Sequence, residues 1–327
     1  MNRNRIGPET EKDISMSGWT IADIPPQNGK TVVITGATGG LGFETALALA
    51  GAGATVVLTG RSDAKGRDAL ARIRAQFPKA AIAYETLDLT ILASIADFAT
   101  RFAASHTSLD ILINNAGVMA LPQRQTTADG FEMQLGTNYL SHYALTARLL
   151  PLLRRVPQPR VVSLSSLAHR SGVIDFGDLQ GERNYAPWKA YCQSKLAMLI
   201  FAIELQRRSD AGGWGLMSNA AHPGYARTDL IPNGPGARSL SWRLGMLLQP
   251  YISHSSAAGA LPTLLAATSA QAKPGGYYGP SGFYELKGPP APAKIMPRAK
   301  DAAISDRLWD VSAKLTGVSF YQAAAAA

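Results

Sequence analysis

The stretch TVVITGATGGLGFETALALAGAGA, residues 31–54, decides the fold of this chain. Its first six residues are a β-branched run that ends in glycine, which predicts a short buried strand. Residues 41–54 have helical spacing of apolar side chains and glycines at the end, which predicts a helix and its stop. In this setting the glycines of residues 35–42 let a pyrophosphate approach the N–H groups of a helix N-terminus, so we predict a dinucleotide-binding turn. The alternative is a tight turn without a ligand.

The same alternation of strand and helix recurs along the chain. Four further pairs of predicted strand and helix are residues 55–60 and 65–77, 81–89 and 93–104, 109–117 and 138–153, and 160–166 and 190–208. Repeated units of this kind imply a parallel sheet with right-handed crossovers. We therefore predict an α/β fold with a single doubly wound, Rossmann-like parallel sheet and helices on both faces.

The rhythm of these units also predicts the domain organisation. Residues 1–28 are polar and contain prolines, which predicts a flexible lead-in, residues 29–320 form a single domain, and residues 321–327 form a tail. Two segments depart from the rhythm, residues 167–189 and 229–253, and both are rich in Gly, Pro and aromatic residues. Each follows a predicted strand, and ligands of open α/β sheets bind beyond the carboxyl ends of strands, so we expect both insertions beside the site.

Composition excludes several classes of function. The chain has 327 residues, 46% of them apolar, and a single cysteine, so it has no internal disulfide and no evident zinc or other metal site. No run approaches the about 20 apolar residues of a membrane span, and we predict a cytoplasmic protein. Its net charge is +9, but the 32 basic residues are scattered among 23 acidic ones, which favours an anionic small ligand over a nucleic acid.

The glycine-rich turn leaves two spacings open: Gly36 and Gly42 combine with either Gly39 or Gly40. The second predicted strand ends at Gly60 and Arg61, without the acidic residue that binds a ribose 2′-hydroxyl. An arginine fork matches phosphate geometry, so we predict that Arg61 pairs with the 2′-phosphate of NADP(H). The alternative is a solvated charge that leads into the next helix.

The segment AYCQSK, residues 190–195, contains the candidate acid/base pair. Tyr191 and Lys195 are four positions apart and share one side of a helix, whereas Cys192 turns away. A nearby ammonium stabilises a phenolate, and the positive charge of a bound nicotinamide would add to this effect, so we expect the pKa of Tyr191 to lie nearer neutrality than 10. The segment SLSS offers Ser165 or Ser166 as a hydrogen-bond donor to a substrate oxygen.

Taken together, these motifs resemble the short-chain dehydrogenase/reductase superfamily. The similarity runs from Thr31 onward through TGATGGLG, LDL at 87–89, NNAG at 114–117, TNY at 137–139, the serine pair, YCQSK and HPG at 222–224. The segments SSLAHR, DLQGE, AYCQSKLA and HPGYARTDL are most similar to its retinol-dehydrogenase-like and WW-oxidoreductase-like branch. That branch's membrane-anchoring N-terminal segment is not matched, and 24 residues separate Ser166 from Tyr191, more than in many members.

The resemblance implies roles for particular residues. Tyr191 is the proton donor or acceptor, and Lys195 binds the nicotinamide ribose and lowers the pKa of the tyrosine. Ser166 is the donor to the substrate oxygen, with Ser165 as the alternative, and Asn138 holds a water molecule for the proton relay.

The same resemblance implies a cofactor site. Asp88 meets the adenine amino group, Asn115 lines the cleft and Thr228 holds the carboxamide. The full set of implied cofactor-binding residues is Gly36, Thr38, Gly40, Leu41, Gly42, Arg61, Asp88, Leu89, Asn115, Ala116, Gly117, Tyr191, Lys195, Pro223, Gly224 and Thr228.

The resulting hypothesis is an NADP(H)-dependent oxidoreductase that acts on a carbonyl or an alcohol of an apolar small molecule, with a homodimer as a possible assembly. An epimerase or dehydratase acting on a nucleotide sugar shares Tyr-x-x-x-Lys and is one alternative. A non-catalytic NADPH-binding sensor is another. The histidines His222, His142 and His169 have no evident acid partner in sequence and favour structural roles, whereas Trp242 suits either a substrate pocket or the core.

Overall fold

The computed structural model describes residues 18–226 and 253–320. The strands are β1 (Thr31–Thr35), β2 (Thr55–Gly60), β3 (Ile82–Thr86), β4 (Ile111–Asn114), β5 (Arg160–Leu164), β6 (Met217–Ala221), β7 (Tyr277–Pro280) and β8 (Pro290–Pro292). The helices are α1 (Gly40–Gly51), α2 (Asp63–Gln76), α3 (Leu92–Ser105), α4 (Met133–Leu135), α5 (Ser141–Leu153), α6 (Pro187–Gly212), α7 (Ser256–Thr268) and α8 (Ala302–Thr316).

The eight strands form one sheet in the order β3-β2-β1-β4-β5-β6-β7-β8. The pairings from β3 to β7 are parallel, which confirms the predicted doubly wound α/β fold. Strand β8 is antiparallel to β7 and adds one antiparallel pairing at the edge of this otherwise parallel sheet. Two prolines in three residues suit an edge position, where a missing N–H leaves no ladder bond unmade.

Alternate strand residues face opposite layers of helices. In β1, Val33 belongs to the core on one side of the sheet, whereas Val32 and Ile34 belong to the core on the other side. Because both faces are covered, these strands read as continuous apolar runs. The order of the strands reverses between β1 and β4, and the crevice beyond their carboxyl ends is the place where such sheets bind ligands.

A π-helical turn interrupts the long helix that precedes β5. Helix α4 passes into a π-helix at Gly136–Leu140 and then into α5, and the N–H of Ser141 donates to the carbonyl of Gly136. The predicted helix over 138–153 therefore begins five residues earlier, with this irregular turn inside it. Such turns are rare and frequently mark functional sites.

An aromatic cluster fills the core on the α5 and α6 side of the sheet. The rings of Tyr143, Phe201, Trp309 and Phe320 lie with centroids 4.6–6.2 Å apart. Tyr139, in the π-helical turn, packs edge-on against Tyr143. Phe320 is fully buried, so this cluster ties the region after α8 to the helix that carries Asn138.

Part of the predicted lead-in packs against the sheet domain. Trp19 is buried in the core beside β1 and α1, and the N–H of Gln27 donates to the carbonyl of Ala52. The expectation of flexibility therefore does not hold for residues 18–28, whereas residues 1–17 lie outside the described residues. One tryptophan in a polar, proline-bearing stretch has no periodicity from which its burial could be predicted.

Within the described ranges, none of the helices combines the length and the apolar character needed to cross a bilayer.

Candidate active site

The turn after β1 has the backbone of a phosphate-binding loop. Gly36 and Gly40 have φ angles of +63° and +53°, a region that favours glycine. A Cβ on Gly42 would lie 2.5 Å from the side-chain amide of Asn115, so the third glycine allows close packing. Gly39 is the N-cap of helix α1 and makes no side-chain hydrogen bond, so the first N–H groups of the helix have no side-chain cap and suit an anion.

A second loop, residues 114–118, runs beside this turn. The side-chain amide of Asn115 donates to the carbonyl oxygens of Thr35 and Gly36, at 2.7 and 3.3 Å. Asn138 holds the other end, because its Oδ1 accepts from the N–H of Val118 and its Nδ2 donates to the carbonyl of the same residue. We call residues 115–118 the cleft wall.

The cleft itself has a volume of about 410 Å³ and opens beside the carboxyl ends of β4 and β5. Most of its surface is apolar, with a few polar groups at one end, which is the character of a small-molecule site. Its lining residues are Leu41, Asn115, Gly117, Val118, Met119, Leu164, Ser165, Ser166, Leu167, Ala168, Ser171, Trp188, Tyr191, Lys195, Pro223, Gly224, Tyr225 and Ala226.

Tyr191 and Lys195 both line the cleft, as their spacing on one helix predicts. Burial raises the pKa of Tyr191 to about 12, and the side chain of Ser166 acts against this rise. Burial lowers the pKa of Lys195 to about 8, and its Nζ donates to the carbonyl of Leu164 at 3.0 Å. The ammonium is thus directed at a backbone oxygen, and Tyr191 holds its proton firmly.

Cys192 is buried beside Tyr191, and burial raises the pKa of its thiol to about 11. A nucleophilic cysteine needs the thiolate, so this environment is that of a structural side chain.

The two candidate serines have different surroundings. The hydroxyl of Ser165 donates to the carbonyl of Lys195 at 2.7 Å. Ser166 begins the 3₁₀ turn Leu167–Ser171, where its Oγ accepts from the N–H of Ala168, and it lines the cleft together with Tyr191. The geometry therefore favours Ser166 as the serine that meets a substrate beside the tyrosine.

Asn138 lies in the π-helical turn, fully buried behind the cleft wall. Besides its two bonds to Val118, its Nδ2 donates to the Oγ of Ser194 at 2.9 Å. A Cβ on Gly117 would lie 3.0 Å from the Oδ1 of Asn138 and 3.5 Å from the Nζ of Lys195, so glycine lets these groups approach each other.

Eight of the eighteen predicted site residues line the cleft. Leu41, Asn115, Gly117, Pro223 and Gly224 line the cleft together with the tyrosine, lysine and serine.

The remaining predicted positions lie around the cleft or outside the described residues. Arg61 is exposed at the end of β2, and the carboxylate of Asp88 accepts bonds from the N–H and hydroxyl of Thr90. Leu89 is buried. Thr228, like Trp242, falls outside the described residues.

His222, next to the cleft, has the carboxylate partner that its sequence neighbourhood lacks. Its Nε2 lies 2.9 Å from an oxygen of Glu285, and Arg170 pairs with the same oxygen at 2.7 Å. Glu285 and Tyr284 have φ angles of +59° and +50°, which are strained for residues with side chains. The pairing holds this strained turn against residues 222–226, and it supports a structural role for His222.

Sequence reasoning missed two groups at this site. The apolar lining residues Leu167, Ala168 and Tyr225 lie inside the segments SSLAHR and HPGYARTDL but were not named as site residues, and Met119 lies two positions after NNAG. His142 and Thr35 lie fully buried behind the cleft wall and are linked to each other by a hydrogen bond. The spacing of four between Asn138 and His142 on a helix was the available signal.

The residues fit a dinucleotide. The glycine turn opens the uncapped start of α1, and Leu41 in the first turn of this helix lines the apolar cleft that also contains Tyr191 and Lys195. Among the described residues, no group of three or more His, Cys, Asp or Glu side chains is arranged to hold a metal ion.

Comparisons with known proteins agree with this geometry. The sequence profile of the family described as "short chain dehydrogenase" matches residues 30–234. Human retinol dehydrogenase 13 is 42% identical over 293 residues, covering 89% of this chain and 85% of its own. Mouse polyprenol dehydrogenase is 39% identical, covering 90% of this chain and 86% of its own.

A crystal structure of an uncharacterised protein from Mycobacterium paratuberculosis is 40% identical, with a TM-score of 0.76 and coverage of 93% of this chain and 99% of that one. Oxidoreductases of this family transfer hydride with a nicotinamide cofactor. The chain belongs to the short-chain dehydrogenase/reductase superfamily, in its retinol-dehydrogenase-like branch.

Proposed function

We propose that this oxidoreductase uses NADP(H) and interconverts a carbonyl with a primary or secondary alcohol on an apolar substrate, through Tyr191, Lys195, Ser166 and Asn138. The observation that carries the proposal is the meeting of Tyr191, Lys195 and Ser166 at the polar end of an otherwise apolar cleft. A nicotinamide, when bound, supplies or accepts the hydride. The protein's own task is then to orient the oxygen and to move one proton.

Tyr191 is the group that exchanges this proton with the substrate oxygen. With a pKa raised to about 12 it is protonated at neutral pH, which suits a donor in the direction of carbonyl reduction. Ser166, which lines the cleft together with Tyr191, donates a second hydrogen bond to the same oxygen and stabilises the charge that develops there.

Lys195 and Asn138 support this pair from behind. The ammonium of Lys195 lies 5.8 Å from the centre of the Tyr191 ring, close enough to stabilise the tyrosine after its proton leaves. Asn138 fixes the cleft wall opposite the lysine and is our candidate for the relay that returns a proton to Tyr191.

Arg61 supports the choice of NADP(H). It is exposed directly after β2, and the end of that strand, Gly60 and Arg61, has no carboxylate that would bind a free 2′-hydroxyl. The next carboxylate along the chain, Asp63, opens α2 and accepts a hydrogen bond from the hydroxyl of Thr86. A guanidinium beside the ribose pairs with a 2′-phosphate in a fork geometry.

The lining of the cleft supports an apolar substrate. Met119, Leu167, Trp188 and Tyr225 surround the space in front of Tyr191. The names of two relatives, retinol dehydrogenase and polyprenol dehydrogenase, agree with an alcohol that carries an apolar body, or with the matching carbonyl. We retain a cytoplasmic location and a homodimer as accompanying proposals, testable by cell fractionation and by light scattering.

A substrate screen tests the function directly. The purified chain is incubated with NADPH or NADH and a panel of aldehydes and ketones of increasing apolar size, and with NADP⁺ or NAD⁺ and the matching alcohols, while absorbance of the reduced cofactor is followed. We expect turnover with NADPH that improves with apolar size, and none in Tyr191→Phe. Absence of turnover across the panel, or equal turnover by Tyr191→Phe, would contradict the proposal.

A further inference from the structure

His142 is a fully buried histidine whose two ring nitrogens both have partners. It is the second residue of α5, directly after the π-helical turn. Its Nδ1 lies 2.9 Å from the carbonyl oxygen of Asn138, and its Nε2 lies 2.9 Å from the hydroxyl of Thr35. The ring therefore spans the distance between the end of β1 and the turn that carries Asn138.

These partners determine which nitrogen carries the proton. A carbonyl oxygen only accepts hydrogen bonds, so Nδ1 must be the donor to Asn138. Burial lowers the pKa of His142 to about 4, and the nearby charge of Lys195 acts in the same direction, so the ring is neutral and Nε2 accepts. Thr35 is then the donor to Nε2.

The hydroxyl of Thr35 is suited to this role because its lone pairs are already used. It accepts from the N–H of Asn115 at 2.9 Å and from the N–H of Ala116 at 3.0 Å. A hydroxyl has one hydrogen, and the partner at 2.9 Å in His142 is much closer than the carbonyl of Ile113 at 3.4 Å.

The result is a directed chain of hydrogen bonds behind the cleft wall. It runs from the first two N–H groups of the wall through Thr35 and His142 to Asn138, and Asn138 in turn holds the last residue of the wall, Val118. The two attachments of residues 115–118 are thereby linked through one imidazole.

We propose that His142 is a positioning residue: as the neutral tautomer protonated on Nδ1, it links Thr35 to Asn138 and fixes the cleft wall for cofactor binding. The inference rests on the proposed function for the cofactor, and it adds a group that touches neither cofactor nor substrate. The wall places Asn115 and Gly117 in the cleft. A less ordered wall should therefore reduce the affinity for the dinucleotide more than it reduces the rate of the chemical step at Tyr191.

A double-mutant cycle tests the link. Dissociation constants for NADPH and NADH are measured by calorimetry for the wild type, His142→Leu, Thr35→Val, the double variant and Thr35→Ser. We expect each of the first two variants to weaken binding about tenfold, the loss typical of a buried hydrogen bond to a partner left unpaired. The double variant should bind no worse than Thr35→Val alone, since both changes break one chain. Thr35→Ser keeps the hydroxyl and should stay within roughly twofold of the wild type.

The matched control is Thr268→Val in α7, which removes a buried hydroxyl bonded to the carbonyl of Leu264 in its own helix. It should lower the melting temperature without changing the dissociation constants. Losses that multiply in the double variant, or unchanged binding in His142→Leu, would overturn the positioning role. Failure of the wild type to bind either dinucleotide would instead overturn the proposed function.

A measurement on the wild type covers the case in which His142→Leu does not fold. Nitrogen-15 spectra of labelled histidine report the tautomer of each ring. We expect His142 to carry its proton on Nδ1 at neutral pH. A proton on Nε2, or a charged ring, would contradict the inference.

Discussion

The hydroxyl of Ser165 donates to the carbonyl oxygen of Lys195 at 2.7 Å, which separates the roles of two adjacent serines. Ser165 fixes the backbone of the helix that carries the acid/base pair. Ser166 remains free to face Tyr191 and the cleft. The choice between them, open from the sequence, thus becomes a testable difference.

Ser166→Ala should lower kcat by about a hundredfold, since it removes a donor to the developing oxyanion. Ser165→Ala should change kcat much less and mainly lower stability, by about 1 kcal/mol. Steady-state kinetics and thermal unfolding of both variants check this pair. A larger loss of kcat in Ser165→Ala than in Ser166→Ala would reverse the assignment.

Tyr191→Phe should reduce turnover by at least about a hundredfold and leave the affinity for the cofactor nearly unchanged, because it removes the phenolic hydroxyl that exchanges the proton but keeps the aromatic ring and its packing. Cys192→Ala is the matched neighbour: a buried thiol with a pKa raised to about 11 contributes no nucleophile, so its turnover should be retained. The check is turnover and calorimetric binding side by side. If a thiol reagent inactivated the enzyme, and if Cys192→Ala also lost turnover while remaining folded, the cysteine would be the essential group.

Arg61→Ala should weaken NADPH binding by roughly tenfold to a hundredfold and leave NADH binding unchanged, since a charge-assisted pair to phosphate is lost. Arg155→Ala is the control, because Arg155 is also exposed but lies after α5, where it donates to the carbonyl of Thr107. Calorimetry with both cofactors checks the prediction. An equal preference for NADPH and NADH in the wild type would contradict it.

Lys195→Met should abolish turnover and yet raise the free energy of unfolding at pH 7 by about 1–3 kcal/mol. Burial lowers the pKa of this lysine from 10.5 to about 8, so the folded state carries a destabilised ammonium below pH 8. That cost disappears as the pH rises from 8 to 10.5, because only the unfolded state then binds the proton. Urea titrations of wild type and variant across this range check the sign, and a gap that widens with pH would refute it.

Glu285→Ala should lower stability by about 3 kcal/mol, because it leaves Arg170 and the buried His222 without their carboxylate in a strained turn. Glu182→Ala is the control, since Glu182 is mostly exposed and its closest ion pair, with Arg124, spans 3.9 Å. Thermal unfolding of both variants distinguishes them. If both variants lost the same small amount of stability, the pairing of Glu285 with Arg170 and His222 would contribute nothing to the stability of the fold.

Much of the fold could be predicted because its signals are local. The strand from Thr31 and the helix ending at Gly51 have matching periodicity and glycine punctuation, and the helix carrying Tyr191 lies close to its predicted bounds. The short edge strand β8 could not be predicted, because three residues with two prolines have no strand pattern. The buried Trp19 was missed for the same reason.

The site was predictable where chemistry follows spacing along one element, as for Tyr191 and Lys195. It was not predictable where partners meet across the fold. Glu285 lies 63 positions after His222, and Thr35 lies 107 positions before His142, so no local pattern connects either pair. Burial by the whole fold also raises the pKa of Tyr191, and no local sequence pattern reports that burial.

The buried ring of Phe320 has a consequence for the order of synthesis. It completes the aromatic cluster with Tyr143 and Trp309, and Tyr143 is the residue next to His142. A nascent chain that has not yet released residue 320 from the ribosome leaves a cavity of phenylalanine size in that cluster, a defect that costs about 3–5 kcal/mol in a core. The helix that supports the cleft wall therefore acquires its final packing only after nearly all of the residues around the site have been made.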